Sequence, residues 1–123
     1  MSLKIYKICK IQEWRIACIK GTYSGSQVDL QDGFIHFSTQ SQLRATAQKH
    51  FKGRKDLVLV EIDSTYLPLT WEPSRGGDLF PHLYQDLPVS GLEKTWVLML
   101  DENNMPMLPF DRSSIYVRWT ATR

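Results

Sequence analysis

The order of apolar and polar positions along the chain predicts alternating strands and helices. The first residues alternate like a strand, and residues 12–20 change to a helical spacing that stops beside Gly21. A second helix is predicted to begin at Ser38 or Thr39, where Gln42 has the spacing of a capping box, and to run to Phe51. Further strands are predicted at 57–63, 69–72 and 95–100.

The two longest apolar stretches differ from the first strand because they are apolar on both parities. Residues 57–60 and 95–100 therefore have the pattern of strands buried on both faces. The segment 22–33 is rich in Gly, Ser, Gln and Asp and is predicted to be a loop. Alternation at Ile115, Val117 and Trp119 predicts that residues 110–123 form an edge strand or a tail that binds a partner. The main domain is therefore predicted to span residues 1–109.

Length and composition favour one small domain that combines helices and strands. The chain has 123 residues, of which 42% are hydrophobic and 23% are charged. A domain of this size can be stable without metal or disulfide. Cys9 and Cys18 both lie among apolar residues and are predicted to be buried, reduced thiols. No secretory leader or run of about twenty apolar residues is seen, so a cytoplasmic protein without membrane contact is expected.

The charge balance bears on the kind of partner. A net charge of +2 is too mild for a surface that follows a phosphate backbone, which argues against nucleic acid. It is compatible with a small anionic ligand. Lys7 is notable in this respect, because it interrupts the apolar face of the first strand.

The run from Phe34 to Thr39 is the first candidate for chemistry. Alternation places Phe34, His36 and Ser38 on one face of a short strand. His36 is open to two interpretations: a core imidazole that bonds a backbone carbonyl, or a catalytic imidazole that faces a ligand. Ser38 and Thr39 follow it and are candidate ligand contacts.

The run Trp71-Glu72-Pro73 is the second candidate. Leu69 and Trp71 share a face that is predicted to pack, and Glu72 points the opposite way. Glu72 is either an ordinary surface acid or, on the face of His36, a catalytic carboxylate that stabilises a developing positive charge. Trp71 is a candidate ligand contact.

The third candidate is the aromatic segment 79–84, which is predicted to be a loop stiffened by Pro81. His82 is a candidate catalytic residue, and Phe80 and Tyr84 are candidates for stacking on a flat ligand ring. The alternative is a plug that covers a sheet edge. No metal site is predicted, because three scattered histidines and two apolar-flanked cysteines do not have zinc-ligand spacing.

Three segments, taken together in order, resemble one known family. They are Gly33 to Thr39, Gly53 to Leu59, and Trp71-Glu72-Pro73 followed by Leu79 to Tyr84. The chain from about Ile5 to Pro109 is similar to the bacterial domain of unknown function family 952. In those relatives the first strand commonly carries Tyr-His, where this chain has Tyr6-Lys7.

This resemblance implies a fold and a kind of ligand. The family is grouped with the ADP-ribosyltransferase-like proteins, which implies an α+β domain with a split, mostly antiparallel, twisted sheet and two main helices. Such folds hold NAD or a related phosphorylated nucleoside between the halves of the sheet. The resemblance implies that Lys7, His36 with Ser38, and Glu72 meet at the cleft. NAD is a candidate cofactor on this ground alone.

Three functions follow as hypotheses. In the first, the chain binds a phosphorylated nucleoside or nucleotide-like metabolite without turnover. In the second, it is an NAD-dependent ADP-ribosyl or related transferase, in which Lys7 holds a phosphate, His36 the ribose and Glu72 the charge at the anomeric carbon. In the third, which the mild charge disfavours, it transfers a 2′-phosphate from RNA.

Overall fold

The computed structural model describes residues 3–111, which form eight strands and three α-helices. The strands are β1 Lys4–Lys10, β2 Thr22–Tyr23, β3 Ile35–His36, β4 Leu57–Asp63, β5 Thr70–Pro73, β6 Leu79–Leu83, β7 Leu87–Pro88 and β8 Lys94–Leu98. The helices are α1 Ile11–Lys20, α2 Gln27–Asp32 and α3 Leu43–His50, with 3₁₀ turns at Gln40–Gln42 and Arg75–Gly77. The predicted tail lies mostly outside the described residues, and the proposed domain boundary stays a prediction.

The strands form a split, antiparallel arrangement. One sheet has the order β1-β4-β8 and another has the order β3-β6-β5, while β2 and β7 form a separate pair. The two larger sheets meet at a bridge between Tyr6 and Ser38, whose backbone N–H groups each donate to the other's carbonyl at 2.8 and 2.9 Å. Tyr6 and Ser38 also line a cleft, together with other residues of β1, α2 and α3. The α+β class with mostly antiparallel sheets is thus confirmed.

The central strand β4 is buried on both faces, as its two-sided apolar pattern predicted. Val58 and Val60 pack into one core cluster with the apolar side of α1, while Leu57 and Leu59 pack into a second cluster with α3. The first cluster is made up of Ile5, Cys9, Trp14, Ala17, Tyr23, Ile35, Phe37, Val58, Val60, Ile62, Leu83 and Leu87. A core on each side fixes the sheet between α1 and α3.

The strand β8 is a correction to the sequence prediction. Residues 95–100 were expected to be buried on both faces, but β8 lies at the sheet edge with β4 as its partner. Leu98 is buried, whereas Val97 and Met99 are about half exposed. The second face of β8 has no helix over it among the described residues, so its apolar side chains stay in contact with solvent.

The segment 22–33 is also a correction, because it is not a loop. It contains β2 and the helix α2, which begins at a capping box between Ser26 and Asp29. Gly33 ends α2 in the left-handed conformation at φ 86°, which glycine adopts without steric strain. The predicted Asp-Gly turn is therefore the end of a helix.

Two smaller predictions, the capping box at Thr39 and the burial of Cys18, have different outcomes. The capping box of Thr39 and Gln42 is confirmed, since Gln42 Oε1 accepts a hydrogen bond from the Thr39 N–H at 3.0 Å, but it caps the 3₁₀ turn Gln40–Gln42, and α3 begins at Leu43. The predicted burial of Cys18 is wrong: α1 buries Trp14 and Ala17, whereas Cys18, in its last turn, is exposed. In the part of the chain that the structure describes, no helix has the length and apolarity to cross a membrane.

Candidate functional site

Lys7 lies in the middle of β1 and is almost fully buried. Its Nζ is 2.7 Å from Oδ2 of Asp29 and donates a hydrogen bond to the backbone carbonyl of His36 at 2.9 Å. The lysine that interrupts the apolar face of β1 is thus neutralised by a carboxylate from α2. A buried ammonium group needs such a partner, because an isolated charge would be strongly destabilising.

Asp29 is the centre of this network, and its carboxylate accepts hydrogen bonds from four donors. Oδ2 takes the Lys7 ammonium and the Ser26 N–H at 2.8 Å, while Oδ1 takes the backbone N–H and the ring Nδ1 of His36 at 3.2 and 2.6 Å. Burial alone raises the pKa of Asp29. The His36 hydrogen bond and the Lys7 charge outweigh it and hold that pKa well below the ordinary value.

His36 is held at both ring nitrogens. Nδ1 contacts Asp29, and Nε2 is 3.0 Å from Oδ2 of Asp32, the last residue of α2. The Asp29 carboxylate is 1% exposed whereas that of Asp32 is 47% exposed. The inner contact is therefore part of the folded framework, and the outer contact is open to exchange with solvent or a ligand.

His82 forms a second imidazole–carboxylate pair on the neighbouring strand. Its Nδ1 is 2.7 Å from Oε1 of Glu72, and the same oxygen accepts a hydrogen bond from the Tyr84 hydroxyl at 2.7 Å. The hydroxyl of Tyr84 and then the ring of His82 lower the pKa of Glu72, while this bond to Glu72 raises the pKa of Tyr84. Glu72 is therefore an anion that orients His82.

The two imidazoles are neighbours because β3 and β6 pair in register, with His36 opposite His82. Their ring centroids are 5.2 Å apart with an edge-to-face orientation. Phe34 stacks on His82 at 4.2 Å and also contacts His36 and Tyr84 at 4.5 and 5.0 Å. Phe34 thus packs against both imidazoles. Stacking of Phe80 or Tyr84 on a ligand ring stays a prediction.

A cleft of about 650 Å³ adjoins these rings. Five of the residues predicted from the sequence line it, namely Lys7, His36, Ser38, Phe80 and His82. The cationic side chains of Lys10, Lys49 and Arg54 also line it, and all three are solvent exposed. The hydroxyl of Ser38 is 3.0 Å from that of Thr46 on α3. Side chains from remote parts of the chain therefore converge on one cavity.

Other predicted residues lie away from the cavity wall. Glu72 and Tyr84 reach it through His82, and Thr39 serves the start of the turn that precedes α3. Trp71 pairs with Pro81 across the sheet, on the face of β5 opposite to Glu72, and is 37% exposed. The structure does not bring Trp71 to the imidazoles.

The segment 79–84 is a strand for most of its length and not the predicted loop. Within β6, Pro81 has no N–H to donate, but its carbonyl accepts a hydrogen bond from Phe37 at 3.0 Å. A proline is tolerated here because β3 ends at His36 and does not need a donor from Pro81. The rigid strand, and not a lid, positions His82.

A family model described as "Protein of unknown function (DUF952)" matches residues 8–95. The chain belongs to this family. The match extends from Ile8 in β1 to Thr95 in β8. It therefore includes both imidazoles and the carboxylates that contact them. No curated protein matches the chain.

Solved structures of another protein are similar to this DUF952 chain. The crystal structure of protein CC0527 from Caulobacter crescentus is 46% identical, with a TM-score of 0.81, over 85% of this chain and 94% of that chain. The solution NMR structure of CC0527 is also 46% identical, with a TM-score of 0.76, over 85% and 92% of the two chains. A double mutant of CC0527 is 44% identical with a TM-score of 0.81 over the same shares as the first crystal structure.

Sequence reasoning missed two carboxylates of this DUF952 site, Asp29 and Asp32. Both lie in the segment that was predicted to be a loop. The one available signal was the spacing of Ser26 and Asp29, which is that of a capping box. Within residues 3–111 no group of three or more His, Cys, Asp or Glu side chains is arranged to hold a metal ion.

Proposed function

We propose that the cleft of this DUF952 protein binds a phosphorylated nucleoside or a nucleotide-like metabolite. The observation that carries the proposal is the pair of oriented imidazoles, His36 and His82, beside a cleft of about 650 Å³. That volume lies within the range of about 300–1,000 Å³ usual for small-molecule sites. An imidazole accepts a proton from a hydroxyl or donates one to a phosphate, and a phosphorylated ribose presents both groups.

The cleft wall carries cations for the phosphate of such a ligand, although four carboxylates also line it, namely Glu13, Asp29, Asp32 and Asp78. Lys10, Lys49 and Arg54 are solvent exposed, while Lys7 offers a buried ammonium. Two donors of that ammonium are taken by Asp29 and by the His36 carbonyl. An ammonium has three N–H groups, so one remains for a ligand phosphate.

A thermal-shift panel tests this binding function. The panel uses NAD, ADP-ribose, nicotinamide mononucleotide and a 2′-phosphorylated oligonucleotide. A ligand at a hundredfold over its Kd adds about 2.7 kcal/mol of stability, which raises the Tm of a domain of this size by roughly ten degrees. The expected result is a rise with at least one of the mononucleotide-sized ligands. No rise with any of the four would contradict the proposal.

Variants locate the binding. His36→Gln and His82→Gln are each expected to reduce the shift strongly, since each removes an imidazole from the cleft wall. Lys4→Gln is a control outside the cleft, because Lys4 pairs with Asp63 at the surface, and it is expected to leave the shift unchanged. Full shifts in both histidine variants would place the ligand elsewhere.

The second candidate is an ADP-ribosyl or related transferase, and the geometry of Glu72 favours it. Both hydrogen bonds of Glu72 end on Oε1, and the side chain is 35% exposed. Glu72 does not line the cleft, so this candidate requires that the ribose ring extend past His82, where the second carboxylate oxygen would stabilise a positive charge on the ring. In this case incubation with NAD releases nicotinamide, and Glu72→Gln abolishes release while it retains NAD binding. Binding without release in the wild-type protein supports the first candidate instead.

A further inference from the structure

The buried network around α2 has a chemical consequence for His36. Asp29 is 2% exposed and its four donors occupy both carboxylate oxygens. An ionised carboxylate can only accept hydrogen bonds, so the ring nitrogen that faces it must carry a hydrogen. Nδ1 of His36 therefore bears a proton whether the ring is neutral or charged.

We infer that Asp29 is a positioning residue of the proposed ligand site, which fixes neutral His36 as the Nδ1–H tautomer and presents Nε2 as the atom that meets the ligand. The part of the inference that concerns a ligand rests on the proposed function. The tautomer of His36 is a property of the ligand-free protein and does not depend on it. Nothing in the family description assigns Asp29 a role.

The contact between Nε2 and Asp32 specifies what this atom does. At 3.0 Å from a carboxylate, Nε2 must carry a second hydrogen, so the ring that contacts both aspartates is doubly protonated. When the ring is neutral, Nε2 is an acceptor and the Asp32 carboxylate is no longer a suitable partner. Nε2 then accepts a hydrogen bond from a hydroxyl, and in the protonated ring it donates one to a phosphate oxygen.

The backbone around Asp29 supports a fixed position for this carboxylate. A Cβ at Gly25 would lie 2.6 Å from the Cβ of Asp29, so the chain there leaves room only for glycine. The N–H of the next residue, Ser26, donates a hydrogen bond to Oδ2 at 2.8 Å. Asp29 therefore has little freedom to move away from His36, and the orientation of the imidazole follows from the fold.

The test reads the tautomer directly. Long-range ¹H–¹⁵N NMR of the ligand-free wild-type protein, at a pH where His36 is neutral, is expected to show a protonated Nδ1 and an unprotonated Nε2. A dominant Nε2–H tautomer would overturn the inference. This measurement requires no variant, so it decides the matter even where substitutions at Asp29 prevent folding.

Asp29→Asn sharpens the test. Each carboxylate oxygen of Asp29 accepts from two donors, but only the Oδ2 pair includes a cation, Lys7. The amide oxygen is therefore expected at the Oδ2 position, and the amide nitrogen then faces Nδ1 and the backbone N–H of His36. The ring is then expected to change to the Nε2–H tautomer. Asp32→Asn is the matched control, because it leaves the Nδ1 contact intact and should keep the Nδ1–H form. A role of Asp29 in folding alone would not predict this exchange of tautomers.

A measurement of ligand affinity distinguishes a failure of this inference from a failure of the proposed function. If ADP-ribose binds the wild-type protein, Asp29→Asn is expected to weaken it by about tenfold, the lower end of the loss seen when an orienting partner of a metal-binding histidine is removed. Unchanged affinity in a folded Asp29→Asn protein would contradict the positioning role. If none of the four panel ligands binds the wild-type protein, the proposed function is rejected and the tautomer result stands.

Discussion

At the scale of single residues, the two imidazoles of the cleft are held by carboxylates of different character. Asp29 is buried and meets His36 at Nδ1, while Glu72 is partly exposed and meets His82 at the same ring nitrogen. Asp32 differs from both, because its carboxylate contacts Nε2 of His36 from the solvent side. Asp32 thus occupies the position in which a ligand phosphate would interact with His36.

The first prediction concerns this competition at Asp32. Asp32→Asn is expected to tighten the binding of inorganic phosphate by about threefold to tenfold at low salt, since it removes a negative charge next to the same imidazole. The measurement is a phosphate titration followed through the His36 ring signals by NMR. Asp63→Asn, which removes an equal charge outside the cleft, is expected to bind like the wild-type protein. Equal or weaker binding in Asp32→Asn would show that Asp32 does not compete with the anion.

The second prediction separates the two cysteines. Burial raises the pKa of the Cys9 thiol to about 12, although the charge of Lys7 acts in the opposite direction. Cys9 is therefore a protonated, inaccessible thiol at neutral pH, whereas Cys18 is exposed on α1. A colorimetric disulfide reagent should label one thiol of the native protein at pH 7.5 and both in urea. Cys18→Ser should abolish the native signal, and rapid labelling of that variant would be inconsistent with a buried Cys9.

At the scale of elements, α2 matters more than its length suggests. A helix of six residues is not stable by itself, because too few hydrogen bonds offset the ordering of its first turn. The capping box at Ser26, the left-handed Gly33 and the contacts of Asp29 hold it in place. Asp29 and Asp32, which both contact His36, lie on this helix, so its position determines the geometry of the site.

The sequence could not predict α2 for a physical reason. Its apolar residues Val28 and Leu30 are 57% and 65% exposed, so the segment shows no apolar stripe facing the core. The residue that it buries is the polar Asp29. By contrast, α1 and α3 bury apolar stripes and were predicted well. A helix that buries a polar residue does not produce a periodic pattern of apolar residues. The sequence therefore did not predict α2 or its two carboxylates, Asp29 and Asp32.

The third prediction compares two glycines that flank α2. Gly25 and Gly33 both have positive φ angles, of 114° and 86°, but only at Gly25 would a Cβ meet another side chain, at 2.6 Å from Asp29. Gly33→Ala is expected to cost about 1 kcal/mol through backbone strain. Gly25→Ala should cost more and should also shift the His36 ring signals. Urea unfolding and NMR measure both effects, and equal behaviour of the two variants would mean that Asp29 adjusts freely.

At the scale of the whole molecule, the site exists because the sheet is split. The pattern of residues predicted the buried strand β4 and the apolar face of β1 that Lys7 interrupts, but not the burial of the other face of β1, which carries Tyr6 and Ile8. It also placed His36 and Ser38 on a shared face, opposite to the core residues Ile35 and Phe37. The register of His36 against His82 and the bridge between Tyr6 and Ser38 are pairings between remote segments. Local periodicity carries no information about such pairings, so the convergence of the imidazoles was a hypothesis until the fold was known.

The last prediction concerns stability in acid, which the buried network controls. The folded-state pKa of Asp29 lies well below its ordinary value of 3.8, so the unfolded chain takes up a proton at a higher pH than the folded chain. The resulting stabilisation is complete above about pH 5 and is lost as the pH falls through the unfolded and then the folded pKa. Other carboxylates with lowered pKa values, namely Asp63, Glu72 and Glu93, contribute with the same sign.

A comparison with Asp29→Asn isolates the contribution of Asp29, because the other three carboxylates are present in both proteins. The free energy of unfolding, measured in urea between pH 7 and pH 2, should fall for the wild-type protein below about pH 4. The difference in the free energy of unfolding between the wild-type and Asp29→Asn proteins should decrease by about 2 kcal/mol over this interval, because asparagine does not bind a proton. A difference that stays constant down to pH 2 would mean that Lys7 and His36 do not stabilise the ionised Asp29 carboxylate in the folded state. The ion pair at the base of the cleft would then not stabilise the arrangement on which the site depends.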